Sequence, residues 1–257
     1  MSDIANASIA TEAPIARYRS VYRQLKSLGV TVPDSIAEAI EFADQPIELA
    51  DHRAVHKKLA NATPKDFGDS LTEFAQSYML AAIAEKDAYF RAEVNKAKLA
   101  RLQTVFMEHE KGLFAQLCKM FNQVAPEFTK NALGLQGVRE GRFSEVGSYT
   151  GEQLNALVDS REAAKPLAPI YSVYQSLGSA LSFIEGDPDK EHPGQYEDEV
   201  KRLAGPDTSQ QQIVNAGHMV KLAALGVDAI RPIRDLMPFL ALPYYGADLN
   251  LTHPLGS

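Results

Sequence analysis

The sequence predicts an all-α protein with several helices, a long central helix and an extended C-terminal arm. Apolar residues recur at three- and four-residue steps through most of the 257-residue chain, and strand-like alternation is sparse. Residues 71–124 contain no proline and a single glycine, Gly112, among residues that favour helix. The chain is long enough to bury a sizeable core without a metal or disulfides.

Three helices are predicted in an N-terminal helical region, residues 1–64. The first helix ends at Gly29, which can adopt the left-handed conformation of a helix C-terminus. The second begins near Ser35, and the third spans about 47–60. The apolar face of the first helix contains Ile15, Tyr18, Tyr22, Leu25 and Leu28.

A long central helical segment is predicted over residues 65–133. As one helix, residues 71–124 would be about 80 Å long. Glu85 and Asn95 fall where a strict heptad requires apolar residues, which argues against one regular coiled coil. We therefore expect a coiled-coil-like helix that is bent or broken near 109–112. Seam-like apolar positions are Leu71, Phe74, Tyr78 and Ala81, and then Leu99, Leu102 and Phe106.

The remainder divides into a glycine-rich linker (134–151), a C-terminal helical region (152–242) and an extended arm (243–257). The linker is predicted from five glycines, and the arm from its spaced prolines and glycines. The arm also carries Leu249, Leu251 and Leu255, and spaced apolar residues of this kind predict docking on a neighbouring molecule.

Charge composition limits the partners. The chain has 26 basic and 33 acidic residues, a net charge of −7 and a pI near 5.4, which disfavours coating of nucleic acid. Residues 146–257 carry 8 basic and 14 acidic residues, hence −6 of that −7. We therefore expect an acidic face around Asp187, Asp189 and Glu191 to meet a basic partner, such as the first-helix edge of a second copy. That edge consists of Arg19, Arg23 and Lys26.

Compartment and membrane contact follow from two further features. The single cysteine, Cys118, excludes an internal disulfide and indicates a reducing compartment. No apolar stretch reaches the roughly 20 residues that a membrane span requires. We expect a cytoplasmic protein, or one within an intracellularly assembled complex, that does not insert into membranes.

Two patterns resemble metal sites without matching an established motif. Glu48, His52 and His56 are spaced four apart and share one helix face, as two imidazoles and a carboxylate could around a metal. The acidic loop 187–198 has alternating carboxylates like a calcium loop, but His192 occupies the position that requires glycine. We assign no metal, cofactor or catalytic residue to either pattern.

These observations favour a non-catalytic helical assembly or adaptor protein, such as a structural subunit of a large complex, that acts through protein contacts or homo-oligomerisation. A metal-dependent helical enzyme using Glu48, His52 and His56 is the first alternative. A nucleic-acid-linked regulator using the basic edge of the first helix is the second. The candidate interaction residues are Arg19, Arg23, Lys26, Asp187, Asp189, Glu191, Leu249, Leu251 and Leu255.

Overall fold

The predicted all-α class is confirmed. A computed structural model describes residues 2–46, 52–86, 88–139, 142–184 and 194–255, with side chains described from residue 13 onward except at 52–53 and 80–90. Within these ranges the one β pairing is an isolated bridge between Ala204 and Leu249. The α-helices are α1 (Ser2–Ser27), α2 (Asp34–Asp44), α3 (His52–Ala60), α4 (Phe67–Lys86), α5 (Ala88–Ala132), α6 (Gly151–Ala180), α7 (Gln195–Leu203), α8 (Gln210–Ala224) and α9 (Ala241–Tyr244).

The long central helix is also confirmed. Helix α5 contains 45 residues, a length of about 68 Å at 1.5 Å per residue. It continues unbroken through residues 109–112, where the sequence predicted a bend or break. A lone glycine costs a helix only about 1 kcal/mol, and burial of Leu113 and Phe114 directly after Gly112 offsets that cost.

The chain forms two compact units. Unit 1 consists of Met1–Arg23 and Val32–Glu108, and unit 2 consists of Gln24–Thr31 and His109–Ser257. The five regions predicted from the sequence form a finer division, which stays a prediction.

The core of unit 1 is built from α1, α2 and α5. The rings of Tyr18 and Phe106 lie 4.9 Å apart between centroids. The end of α2 is held by Lys98, whose Nζ donates to the carbonyl oxygens of Ala43 (3.2 Å) and Gln45. Further buried residues of this core are Ile15, Val21, Ile36, Ala39, Ile40, Leu102 and Val105.

The core of unit 2 is largely aromatic. Phe114 of α5 contacts Tyr174 of α6 edge-on, with ring centroids 5.3 Å apart. The ring centroid of Phe239 lies within 6.1 Å of those of three other rings, Phe121, Phe128 and Tyr171. Helix α6 starts at the surface of unit 2 with a capping box, in which the Thr150 and Gln153 side chains satisfy each other's backbone N–H groups.

The C-terminal segment folds back onto unit 2. Leu249 and Leu251 are buried there, while Leu255 is exposed. The Asn122 amide holds the backbone of Leu251 by two hydrogen bonds, donating to its carbonyl (3.0 Å) and accepting from its N–H (2.7 Å). Leu249 and Leu251 thus pack within their own chain, where the segment finds apolar and hydrogen-bonding partners, and docking of the arm on a neighbouring molecule stays a prediction.

No single helix in the described part of the chain has the length and apolar character of a membrane span. Two helices separated by a short break, Gln210–Ala224 and Asp228–Leu236, reach that length and apolar character only when taken together, and they are bent by 103° at the break.

Replacing Asn122 by alanine should destabilise unit 2 and release the C-terminal segment. Loss of the amide leaves the N–H and C=O of Leu251 without their partners, which we expect to lower the free energy of unfolding by about 2–3 kcal/mol. Urea unfolding measures this change, and limited proteolysis measures exposure of the segment. Asn131→Ala, which removes one surface hydrogen bond to the Asp159 carbonyl, is the control and should cost about 0.5 kcal/mol or less. Equal stability of the two variants would contradict the role of Asn122.

Candidate functional site

Helices α3 and α4 of unit 1 form a helical hairpin. The chain reverses between them through a turn in which the Asp66 N–H donates to the Thr63 carbonyl (3.0 Å). Lys58 of α3 forms an ion pair with Glu73 of α4. The ring of His56 lies edge-on to Phe74, with centroids 5.8 Å apart. The two helices are thus joined by polar and aromatic contacts along one side.

The inner face of this hairpin contains little apolar surface. Ser70 and Ser77 of α4 are buried, one helical repeat of seven apart. Among the described side chains of α3 and α4, Val55 is the one buried apolar residue, and the buried Ser77 hydroxyl has no hydrogen-bond partner in the described structure. Because serine is small, the two helices can approach closely, but their contact buries little hydrophobic area.

The outer face of α4 has the opposite composition. Phe67, Leu71, Tyr78 and Met79 are 50%, 45%, 58% and 64% exposed, and Ala75 is exposed as well. At 100° per residue these five positions fall within an arc of about 120°, the width of stripe that amphipathic helices normally turn toward a core. We call Phe67, Leu71, Ala75, Tyr78 and Met79 the α4 stripe.

Between residues 67 and 79, the charged side chains of α4 lie outside the arc of the α4 stripe. Asp69 and Glu73 project at about 200° and 240° from Phe67 on the helical wheel, beyond the edge of the stripe. Glu73 is also neutralised by its ion pair with Lys58. A partner covering the stripe would therefore desolvate apolar groups without burying a charge.

A polar cluster in unit 2 joins α6 to α7. The Glu199 carboxylate accepts hydrogen bonds from the Tyr171 hydroxyl (3.1 Å) and from Nε2 of Gln175 (3.2 Å). Burial raises the pKa of Glu199 above its ordinary value, while Tyr171, Arg202 and Gln175 act to lower it. Burial and the Glu199 charge raise the pKa of Tyr171 well above its usual range, so Tyr171 stays a hydrogen-bond donor.

A second buried pair holds the C-terminal segment. Glu110 of α5 lies 2.7 Å from Nε2 of His253, and Nδ1 of His253 accepts the Leu255 N–H (3.3 Å). Because Nδ1 is an acceptor, Nε2 carries the proton that is donated to Glu110. Both ring nitrogens are thus engaged, although His253 lines an open groove of about 320 Å³ with Arg202.

A larger groove of about 700 Å³ lies elsewhere in unit 2. Its charged lining residues, Lys130, Asp207 and Asp248, are all exposed. The amide of Asn122, also on its wall, is committed to the backbone of Leu251. The charged groups of this groove are therefore solvated surface groups, which gives it no buried acid or base.

The structure tests the predicted metal trio only in part. Glu48 and the side chain of His52 lie outside the described residues, and His56 is exposed with its ring against Phe74. The described residues contain no group of three or more His, Cys, Asp or Glu that could hold a metal ion. The loop residues Asp187, Asp189 and Glu191 also lie outside the described residues, so both metal hypotheses stay predictions.

The predicted basic edge is partly used inside the chain. Arg19 forms an ion pair with Asp44, and its Nη2 donates to the Ala43 carbonyl (3.1 Å). Arg23 and Lys26 are exposed on α1. Arg19 therefore helps to attach α2 to α1 within unit 1.

The sequence pointed to part of the α4 stripe and missed the polar cluster. Leu71 and Tyr78 have seam spacing, and the same steps of four and three residues, extended backward, would have included Phe67. Glu199 could not be found in this way, since its partners Tyr171 and Gln175 are 28 and 24 residues away on α6.

We compared the chain with protein families, with curated proteins and with solved structures, and nothing matched it.

Glu199→Gln should remove a pH dependence of stability. With a raised pKa, the folded Glu199 binds more protons than the unfolded one above its ordinary value of 4.5, so the free energy of unfolding falls as the pH rises. Glutamine cannot titrate, so the variant should gain stability relative to wild type as the pH rises above 4.5.

Tyr171→Phe should strengthen the pH dependence of stability, because it removes a hydrogen bond that favours the charged Glu199 carboxylate. Its free energy of unfolding should fall more steeply with pH than that of wild type. Urea unfolding across the pH range measures all three proteins, and identical pH profiles would rule out the role of Glu199.

Proposed function

We propose that this chain is a non-catalytic assembly or adaptor protein that acts through protein–protein contacts, with the α4 stripe as its contact surface. The proposal rests on the composition of α4 up to residue 79: its serines Ser70 and Ser77 are buried, while its large apolar side chains other than the half-buried Phe74 are exposed. Isolated apolar residues on a surface are ordinary, but a contiguous stripe on one helix face is typical of an interaction site.

The size of the stripe fits a reversible contact. The exposed parts of Phe67, Leu71, Tyr78 and Met79 amount to roughly 400 Å², given about 200 Å² for a large side chain. At about 25 cal/mol per Å², covering this area contributes about 10 kcal/mol before the association costs of about 4–15 kcal/mol. Contact through the stripe alone is thus weak, and neighbouring surfaces or several copies would strengthen it.

The polar groups of unit 2 support the same interpretation. Glu199 and His253 are half-buried titratable side chains, and each is hydrogen-bonded to a residue of another element. Tyr174 likewise donates to the Thr252 carbonyl (2.8 Å). These groups attach helices and the C-terminal segment to one another, which is the use expected in a scaffold.

Leu71→Glu should reduce association without unfolding the chain. The substitution places a charge at the centre of the α4 stripe, where covering it would require desolvation of a carboxylate. We expect at least about tenfold weaker association, with a melting temperature within about 2 °C of wild type because the position is exposed. Sedimentation measures the mass of the species that contains the chain, both for the purified chain and for tagged chain in an extract of its native source.

The matched control is Val158→Glu, which adds the same charge at an exposed apolar position of α6 in unit 2 (56% exposed). It should associate like wild type. If neither the purified chain nor the extract shows a mass above the monomer that Leu71→Glu reduces, the proposed function is wrong.

A further inference from the structure

We propose that the α4 stripe binds the α4 stripe of a second copy of this chain in an antiparallel pair. The two-fold axis of the pair lies on the stripe side of α4, at the level of residue 73 along the helix. This inference rests on the proposed function and names its partner.

Large and small residues follow one another along α4 in an order that favours an antiparallel pair. In an antiparallel pair, positions equally distant from residue 73 face each other, so Leu71 faces Ala75 and Tyr78 faces Gly68. A side-chain atom added at Gly68 would meet nothing within 4 Å, so this position leaves open space for the tyrosine ring of the other copy. Large side chains thus face small ones, the arrangement that packs without voids.

The outermost positions of the pair are also compatible. Phe67 of one copy faces Met79 of the other, at both ends of the contact. A thioether beside an aromatic ring is a favourable contact, and the flexible methionine can adapt to the ring. Because the axis relates the two copies, each of these three pairs occurs twice, as an isologous interface requires.

A parallel pair fits the same residues less well. In a parallel pair with aligned helices, each residue of one copy would face the same residue of the other, so that Tyr78 would meet Tyr78, Phe67 would meet Phe67 and Gly68 would meet Gly68. Bulky side chains would then meet in some layers while others contained a void, and voids and overpacking both cost stability. The sequence of the stripe therefore favours the antiparallel arrangement.

Charge does not oppose approach of a second copy. Between residues 67 and 79 the arc of the stripe carries no charged side chain, and Glu73, on the other side of the helix, is paired with Lys58. Residues 1–145, which include α4, contain 18 basic and 19 acidic residues, so this part of the chain is nearly neutral. The acidity that would repel another copy belongs to residues 146–257.

The area predicts the strength of the pair. Roughly 400 Å² per copy is about half of the 800 Å² that each partner contributes to a standard interface. We therefore expect a reversible dimer with a dissociation constant on the order of ten micromolar, not an obligate one. A monomer with this stripe exposed and a dimer with it covered would coexist at tens of micromolar.

Cysteine pairs introduced on α4 test the register directly. The native thiol is first removed by Cys118→Ser; its burial raises its pKa to about 11, so it has little part in this chemistry. A chain with Leu71→Cys is mixed with one carrying Ala75→Cys and oxidised gently. We expect the disulfide between positions 71 and 75 to exceed the 71–71 and 75–75 products severalfold, since disulfides need Cα atoms about 4.4–6.8 Å apart.

Two further combinations complete the design. Phe67→Cys mixed with Met79→Cys should also give the mixed product, which tests the end of the contact and does not depend on Leu71. Gln76→Cys, on the polar side of α4, should give only background cross-linking with itself or with any of the other variants.

The outcomes separate this inference from the proposed function. Predominant 71–71 and 75–75 products would indicate a parallel pair and overturn the inference. Absence of cross-links together with a wild-type monomer at about 100 μM would also overturn it. In that case the proposed function stands if Leu71→Glu still reduces a higher mass in the extract, and it fails too if Leu71→Glu has no effect.

Discussion

Burial of apolar side chains along α5 is the interaction on which both compact units depend. The helix contributes Leu102, Val105 and Phe106 to the core of unit 1, and Phe114, Leu117, Phe121 and Phe128 to the core of unit 2. Each large apolar side chain that is fully buried contributes about 1.5–3 kcal/mol. Helices α1 and α2 supply the opposite wall of the first core and α6 that of the second, and polar side chains such as Lys98 and Asn122 attach the irregular segments to them.

Helix α4 has the same apolar spacing as α5 and a different environment. Among its side chains up to residue 79, the buried ones are serines, and the large apolar ones other than the half-buried Phe74 face solvent. The α3–α4 hairpin thus gains little stability from its own contact, and its hydrophobic free energy is realised only when another surface covers the α4 stripe. This difference between the two helices is the physical reason for assigning the contact surface to α4.

The sequence predicted the helical class and the presence of a long central helix because both depend on a local property, helix propensity, although α5 itself also contains Pro126. It could not predict which helix faces are buried. Leu71 and Phe106 have the same seam-like spacing, yet Phe106 packs against Tyr18 while Leu71 is exposed, because a face is buried only if a partner is available. The fate of Leu251 likewise depends on the amide of Asn122, which is 129 residues away. The hydrogen-bond partners of Glu199, Tyr171 and Gln175, are likewise distant from it in the sequence.

The most direct test of the contact surface is hydrogen exchange of the wild-type chain at two concentrations. Amides of α4 over residues 67–79 report on opening of the hairpin, which contact through the α4 stripe should suppress. We expect slower exchange in this segment at about 100 μM than at about 1 μM, with unchanged exchange around Tyr174 in the core of unit 2. Equal exchange of residues 67–79 at both concentrations, or protection confined to another helix, would contradict it.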